Sequence, residues 1–227
     1  MINLNSDLAE GAGRDTEIVG LIDSANLACG VHAGSAAESI RIARLCLERG
    51  VEIGAHPGYD DRQGFGRVEP PGVGAEEIEM LLRFQVGSLA AIAPVAYIKA
   101  HGALYHRCQA DPEAARALAQ VARRFGTGLM GQPGFAVLAA AEEVGVPAYR
   151  EGFADRAYLP DGRLAPRSQP GSLLEPGRAA EQAVRLARSG AVDSICIHGD
   201  SPAALEVARA VRAAIEAAGL ESGPLAR

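Results

Sequence analysis

The sequence predicts an irregular seven-stranded parallel β/α barrel in one domain spanning residues 1–227. Three observations point there. Helical and strand patterns alternate along the chain, and that alternation gives a parallel sheet. At 227 residues the chain falls within the range, about 200 to 250, over which α/β barrels stay undivided. Several strands also carry polar residues on one face: Asn3, Asn5 and Asp7 on the first, Lys99 and His101 on the fourth, His198 and Asp200 at the end of the seventh. Central strands of an open doubly wound sheet are buried on both faces and read as continuous apolar runs. A polar inner face therefore favours a closed barrel with an occupied mouth.

The first strand is expected over residues 2–6, followed by an acidic, glycine-rich turn containing Asp7, Glu10, Gly11 and Gly13. A second strand is expected over 25–29, then Gly30 to Ser35, then a helix opened by the capping box Ser35-Ala36-Ala37-Glu38. Gly50 suits the left-handed position past that helix and leads into a strand over 51–55, with His56 just after it. Tyr59 to Gly74 has four glycines and two prolines without periodicity, the mark of a functional loop. The fourth strand is expected over 95–100, and Asp111-Pro112 pairs a cap with proline at the first helical position. Strands over 127–131 and 147–152 follow, the latter introduced by Gly145. Arg156 to Gly177 forms the second long loop, and Gly190 precedes the last strand, 193–198. Ser201-Pro202 then predicts another capped start, with helical spacing through Leu205, Ala208, Val211 and Ile215.

The net charge of −6, the absence of a basic block and of tryptophan, and only five tyrosines and five phenylalanines exclude a nucleic-acid or anionic-membrane surface. Cysteines 29, 46, 108 and 196 show no paired spacing, so reduced thiols in a cytoplasmic protein are expected, with Cys29 and Cys196 filling the core. No apolar run reaches the roughly 18 to 20 residues of a membrane span.

Lys99 is the only lysine, against 21 arginines. A compact ammonium is retained where a planar guanidinium would not serve. His32, His56, His101 and His198 each follow a strand, as does Asp7. Loops after the carboxyl ends of parallel strands form one face, so these residues should converge there. His106 falls outside that pattern and is expected to be peripheral. Asp7, His56 and His101 are of the ligand types that hold zinc or another divalent ion, although they come from separate strands and lack a local metal signature. Gly30 to Ser35 and His198 to Pro202 each precede a helix, whose amino terminus favours anions. Neither a phosphate-binding Gly-x-x-x-x-Gly-Lys loop, nor a Gly-x-Ser-x-Gly elbow, nor a His-Glu-x-x-His helix is present.

Leu4 to Gly11, Ala25 to Gly34, Gly54 to Tyr59, Gln63 to Arg67, Lys99 to Tyr105, Asp155 to Tyr158, Pro166 to Gly171 and Ile197 to Asp200, taken in order, resemble the LamB/YcsF family. The resemblance runs from about residue 2 to residue 218. Departures are Ala12 in place of an aromatic residue, Ser35 in place of an aspartate and Ala100 in place of a proline. The resemblance implies a barrel similar to those of glycoside hydrolases and deacetylases. It also implies cleavage of 5-oxoproline to glutamate coupled to hydrolysis of ATP, with magnesium, and carried out with two partner subunits, B and C. Asp7, His56, Lys99 and His101 would be catalytic; Glu10, Asn26, His32, Arg67, Asp155, Arg156, His198 and Asp200 would bind substrate or phosphate.

The lactam explains the need for ATP. It is a resonance-stabilised amide, and phosphorylating its carbonyl oxygen would open the ring carbon to water. Lys99 and helix-terminal amides near His32 and Asp200 would neutralise the transferring phosphoryl group. Asp7, His56 or His101 would position or deprotonate the water. Two other readings stand beside this one: a metal-dependent amidohydrolase or carbohydrate deacetylase, and a non-catalytic subunit that binds 5-oxoproline and delivers it to its partners.

Overall fold

Strand β1 (Asn3–Leu8) alternates asparagine and aspartate with leucine and serine, and every residue in it is buried. Burial on both faces, with the amide and carboxylate side chains on only one, requires a largely apolar layer outside and a polar one inside. A computed structural model, which describes residues 1–225, shows that arrangement. The last two residues of the expected domain lie outside the described residues.

The strands β1, β2 (Ser24–Ala28), β3 (Glu52–His56), β4 (Tyr97–Ile98), β5 (Gly128–Gly131), β6 (Ala148–Phe153) and β7 (Ser194–His198) follow one another around a closed barrel. All neighbouring pairs are parallel, and β1 pairs with β7 to close the ring, Asp7 opposite His198. Around it lie α1 (Asp15–Ile18), α2 (Ala36–Arg49), α3 (Ala75–Ala90), α4 (Gly102–Ala110), α5 (Pro112–Phe125), α6 (Ala136–Val144), α7 (Pro176–Ser189) and α8 (Ala204–Ala217).

The outer faces of the strands meet the helices in two apolar clusters. The larger includes Leu8, Leu27, Ile53 and Ile98 with Ile42, Leu82 and Leu118 from the helices. The smaller packs Leu4, Ile195 and Ile197 against Val207, Val211 and Ile215 of α8. Inside the barrel a directed hydrogen-bond network replaces an apolar plug. Ser24 and Ser194 both donate to Asn3 Oδ1; Asn5 Nδ2 donates to Ser194 Oγ and accepts at Oδ1 from Asn26 Nδ2; Tyr97 donates to Asn26 Oδ1. Buried polar groups must be paired to avoid a desolvation penalty, and here each amide orientation is fixed by the next. Gly54 makes this possible, because a Cβ there would lie 2.4 Å from the Tyr97 ring.

The expected punctuation is present at most ends. Ser35 accepts from the Glu38 amide, Asp111 from the Glu113 amide, and Gly50, Gly145 and Gly190 all occupy left-handed C-caps. Three expectations need correction. The fourth strand shrinks from 95–100 to Tyr97–Ile98, although the Lys99 and His101 amides continue its ladder to Ala55 and Pro57. Ser201-Pro202 does not open a helix: Ala203 is the N-cap of α8, without a side-chain cap, and Ser201 gives only its carbonyl, to the Ala204 amide. The second long loop ends two residues early, because Pro176 already occupies the first turn of α7. Among the described residues no helix is long and apolar enough to cross a membrane.

Candidate active site

The side chains singled out along the chain meet at the carboxyl ends of the strands. A cavity of about 670 Å³ opens there, with Asp7, His56, Lys99, His101 and His198 on its wall. Two sets of interactions divide it.

The first set surrounds Asp7. Its Oδ1 accepts from Asn26 Nδ2 at 2.8 Å and from Lys99 Nζ at 2.9 Å, so the barrel network ends on this oxygen. Its Oδ2 makes no hydrogen bond of that kind and faces His56 Nε2 at 3.6 Å and His198 Nε2 at 4.0 Å. Burial disfavours the charged carboxylate, but His56, Lys99 and His198 around it hold the group well below the usual range. Since His56 is itself neutral near pH 7, the Lys99 ammonium is the cation that secures the charge.

Lys99 Nζ donates to Asp7 Oδ1 and to Cys196 Sγ (3.0 Å) and pairs with Glu151 Oε2 at 3.2 Å. Burial alone would neutralise this lysine, yet Asp7, Cys196 and Glu151 together raise its pKa well above the ordinary value. The Lys99 ammonium, expected to neutralise a transferring phosphoryl group, lines the cavity already engaged by Asp7 and Cys196 and paired with Glu151. Cys196, expected as core filler, touches the site lysine, and burial raises its thiol far above the usual range, so it is neutral. Glu151 escaped the sequence reading altogether. Burial raises its carboxyl, and it sits beneath Lys99 on β6. The one available signal was its place on the inward face of a strand, two residues before Phe153.

Asp155 Oδ1 lies 2.9 Å from His198 Nδ1, and Asp155 Oδ2 accepts from the His198 amide. A carboxylate on Nδ1 fixes that nitrogen as the donor and presents Nε2 toward Asp7. Burial works against the Asp155 charge, but His198 brings its pKa down. Phe153 stacks on the His198 ring at 5.4 Å between centroids.

The second set gathers on Glu10. Its Oε1 lies 3.1 Å from His32 Nε2, 3.1 Å from His101 Nδ1 and 3.7 Å from His56 Nε2. Burial opposes its charge, yet the His101 and His32 rings beside it lower its pKa strongly. His32 and His101 stack face to face at 4.0 Å. Burial depresses the His32 pKa and brings His56 to about 3. Loop glycines make room for the rings: a Cβ at Gly66 would lie 2.9 Å from both His101 and His32. Phe65, at φ +58°, turns its carbonyl onto His101 Nε2 at 2.8 Å. A bulky residue at positive φ is a local strain, and such strain is found where function holds the backbone.

Of the residues named as metal candidates, His56 and His101 face Glu10, whereas Asp7 groups with Cys196 and His198; each trio has donor atoms within 4.8 Å of one another. His32 turns its Nε2 to Glu10. Asp200 is held by Arg67 and, at 3.3 Å, by Arg167. Arg156 is buried on the cavity wall, and its Nε has no hydrogen-bond partner. The arginines thus form a cationic rim. His106, expected to be peripheral, lines the cavity beside them on α4.

The fold and this rim site define a parallel β/α barrel protein with a polar, histidine-rich cavity at the carboxyl ends of its strands. The chain belongs to the LamB/YcsF family, whose model matches residues 2–227. It is 42% identical over 244 residues to a Streptomyces avermitilis protein named as the A subunit of 5-oxoprolinase, covering 97% of this chain and 98% of that one. A Thermus thermophilus protein of the same name is also 42% identical, with the same coverage. The crystal structure of a lactam utilization protein from Thermus thermophilus superposes with a TM-score of 0.90 at 41% identity, covering 98% of each chain. A family 4 carbohydrate esterase from Streptomyces lividans shares the fold alone, with a TM-score of 0.59 at 11% identity over 99% of this chain and 92% of that one.

Proposed function

We propose that this chain is the A subunit of an ATP-dependent 5-oxoprolinase: with subunits B and C it opens 5-oxo-L-proline to L-glutamate while ATP is hydrolysed to ADP and phosphate. The observation that carries the reading is Asp7, a buried carboxylate with one oxygen anchored by Asn26 and Lys99 and the other turned to the cavity between two imidazoles. It is charged before substrate arrives, and its second oxygen can orient a water and take its proton in the transition state. The names of relatives matching nearly the full chain supply the substrate class.

The lactam carbonyl is a poor electrophile until its oxygen is phosphorylated. Water then adds to the ring carbon, giving up a proton to Asp7 Oδ2. His198, steered by Asp155, takes that proton on Nε2 and delivers it to the ring nitrogen as the C–N bond breaks, leaving an acyl phosphate that a second water hydrolyses to phosphate and the side-chain carboxylate of glutamate. Arg156, with its unpartnered Nε, and the rim arginines Arg67 and Arg167 would hold the phosphoryl group or the substrate carboxylate. Magnesium would enter with ATP. The four free cysteines suit a reducing, cytoplasmic setting.

The test mixes the purified chain with and without subunits B and C, adds 5-oxoproline and ATP, and measures glutamate and phosphate. Both products are expected only in the full mixture and are lost with Asp7→Asn. Turnover by the chain alone without ATP would favour a metal-dependent amidohydrolase or deacetylase instead. Full turnover with Asp7→Asn would reduce the chain to a carrier of 5-oxoproline.

A further inference from the structure

The second set of interactions contains a conflict that its own hydrogen bonds create. His56 Nδ1 lies 2.8 Å from the Lys99 carbonyl, and His101 Nε2 lies 2.8 Å from the Phe65 carbonyl. A carbonyl can only accept, so both of these ring nitrogens carry hydrogen. In the neutral rings, the remaining nitrogens, His56 Nε2 and His101 Nδ1, then carry lone pairs. They face each other at 3.0 Å, and the Glu10 carboxylate oxygen stands 3.7 Å from the first and 3.1 Å from the second. Three electron pairs converge on one buried point.

We propose that Glu10, His56 and His101 bind one divalent transition-metal ion of the zinc or cobalt type, leaving a fourth position open to the cavity. Two further observations support a metal there in preference to a shared proton. A tetrahedral ion with bonds of about 2.0 to 2.2 Å sets neighbouring donor atoms about 3.3 to 3.6 Å apart, and the three separations here of 3.0, 3.1 and 3.7 Å bracket that edge. The outer partners are also those of a metal site. Imidazole ligands characteristically donate their other N–H to a carbonyl or carboxylate, which fixes the tautomer. Both histidines do so here, and His32 lies 3.1 Å from Glu10 Oε1, where its Nε2–H would orient the carboxylate.

The open position follows from the fold. His56 and His101 line the cavity, and Asp7 Oδ2 stands 3.6 Å from His56 Nε2. Three nitrogen and oxygen ligands with one free place is the pattern of a reactive metal and not of a structural one. The donor set of two imidazoles and one carboxylate suits zinc, cobalt, iron or nickel better than calcium or magnesium, which prefer oxygen alone. This site is independent of the proposed 5-oxoproline chemistry, since it can be read on the isolated chain without substrate.

The experiment strips the full chain with a chelator, then titrates it with Zn(II) by calorimetry and with Co(II) by visible absorption. One ion per chain is expected, with the intense d–d absorption of a four-coordinate cobalt. Glu10→Gln and His101→Asn should each weaken binding by about a hundredfold or more, whereas Glu143→Gln, in an exposed pair with Arg116, should not. Far-UV circular dichroism checks that each variant is folded, and the wild-type titration decides the matter even if one is not. Absence of saturable binding, or a cobalt spectrum like that of the aqueous ion, would overturn the proposal. So would Glu10→Gln binding as tightly as the wild type.

Discussion

Replacing Lys99 with methionine removes one ammonium and leaves two buried carboxylates, Asp7 and Glu151, that it separated at 2.9 and 3.2 Å. Breaking a buried pair by deleting one partner costs about 3 to 5 kcal/mol, because the remaining charge is uncompensated. For a chain of this size each kcal/mol moves the melting temperature by about 2 to 4 °C, so a drop of about 6 to 20 °C is expected. Asp7→Asn should cost less, since Lys99 keeps Glu151. The double variant should be more stable than the sum of the two by about 1 to 3 kcal/mol. The pH dependence has a definite sign. In the wild type Asp7 has a depressed folded pKa, so its contribution is present above the unfolded value of about 3.9 and is lost as pH falls through the folded one. In Lys99→Met the carboxyls shift upward instead, and the folded variant gains protons and stability as pH falls. The gap between the two proteins therefore narrows from pH of about 7 toward about 4. Urea unfolding followed by circular dichroism measures all four proteins. Additivity within about 0.5 kcal/mol, or a gap that widens in acid, would refute the ion pair as the support of the site.

Three further outcomes follow from particular contacts. Gly54→Ala places a Cβ against the Tyr97 ring and should destabilise by about 1 to 3 kcal/mol in urea unfolding; an unchanged midpoint would mean the ring has room to move. Asp155→Asn leaves His198 without its fixed tautomer, and under the proposed function kcat of the chain mixed with subunits B and C should fall by about a hundredfold or more while KM changes little; a pure KM effect would make the pair a binding element. The thiols of Cys29, Cys46 and Cys108 are pushed up to about 12 by burial, and Cys196 is raised too, so iodoacetamide at pH of about 8 should label none of them until the protein unfolds. Mass spectrometry reads the result.

Local chemistry was legible where one residue decides one conformation. Gly50, Gly145 and Gly190 announced their helix ends, and the alternation of Asn3, Asn5 and Asp7 announced a polar barrel interior. The convergence of the histidines followed from topology, because parallel strands deliver their carboxyl ends to one rim. What stayed hidden depends on distances between strands far apart in sequence. Near residue 151 only its place on the inward face of a strand separates Glu151 from a solvated glutamate; its role arises when β6 brings it under Lys99. Cys196 is an apolar residue in an apolar strand until the closure of β1 on β7 sets it against the same lysine. Ser201-Pro202 misled for the converse reason. Its local signal is sound, but the segment must first present Asp200 to Arg67 and Arg167, which delays α8 to Ala204.

The charge distribution divides the cavity into a floor and a rim of opposite character. On the floor, Asp7, Glu10 and Asp155 are held as carboxylates, burial keeps His32 and His56 neutral, and the one ammonium is shared between Asp7 and Glu151. A phosphoryl dianion brought to that floor would meet more negative charge than positive, whereas a cation or a proton would be welcomed. At the rim Arg67 and Arg167 share the single carboxylate of Asp200, and Arg156 has an unpartnered Nε, so an anion is favoured there. A ligand spanning the two would have its anionic end at the arginines and its reacting carbon above Asp7 Oδ2. Asp7 stands at the boundary between the two regions, because one of its oxygens is tied into the barrel network by Asn26 and Lys99 while the other faces His56 and His198 on the cavity side.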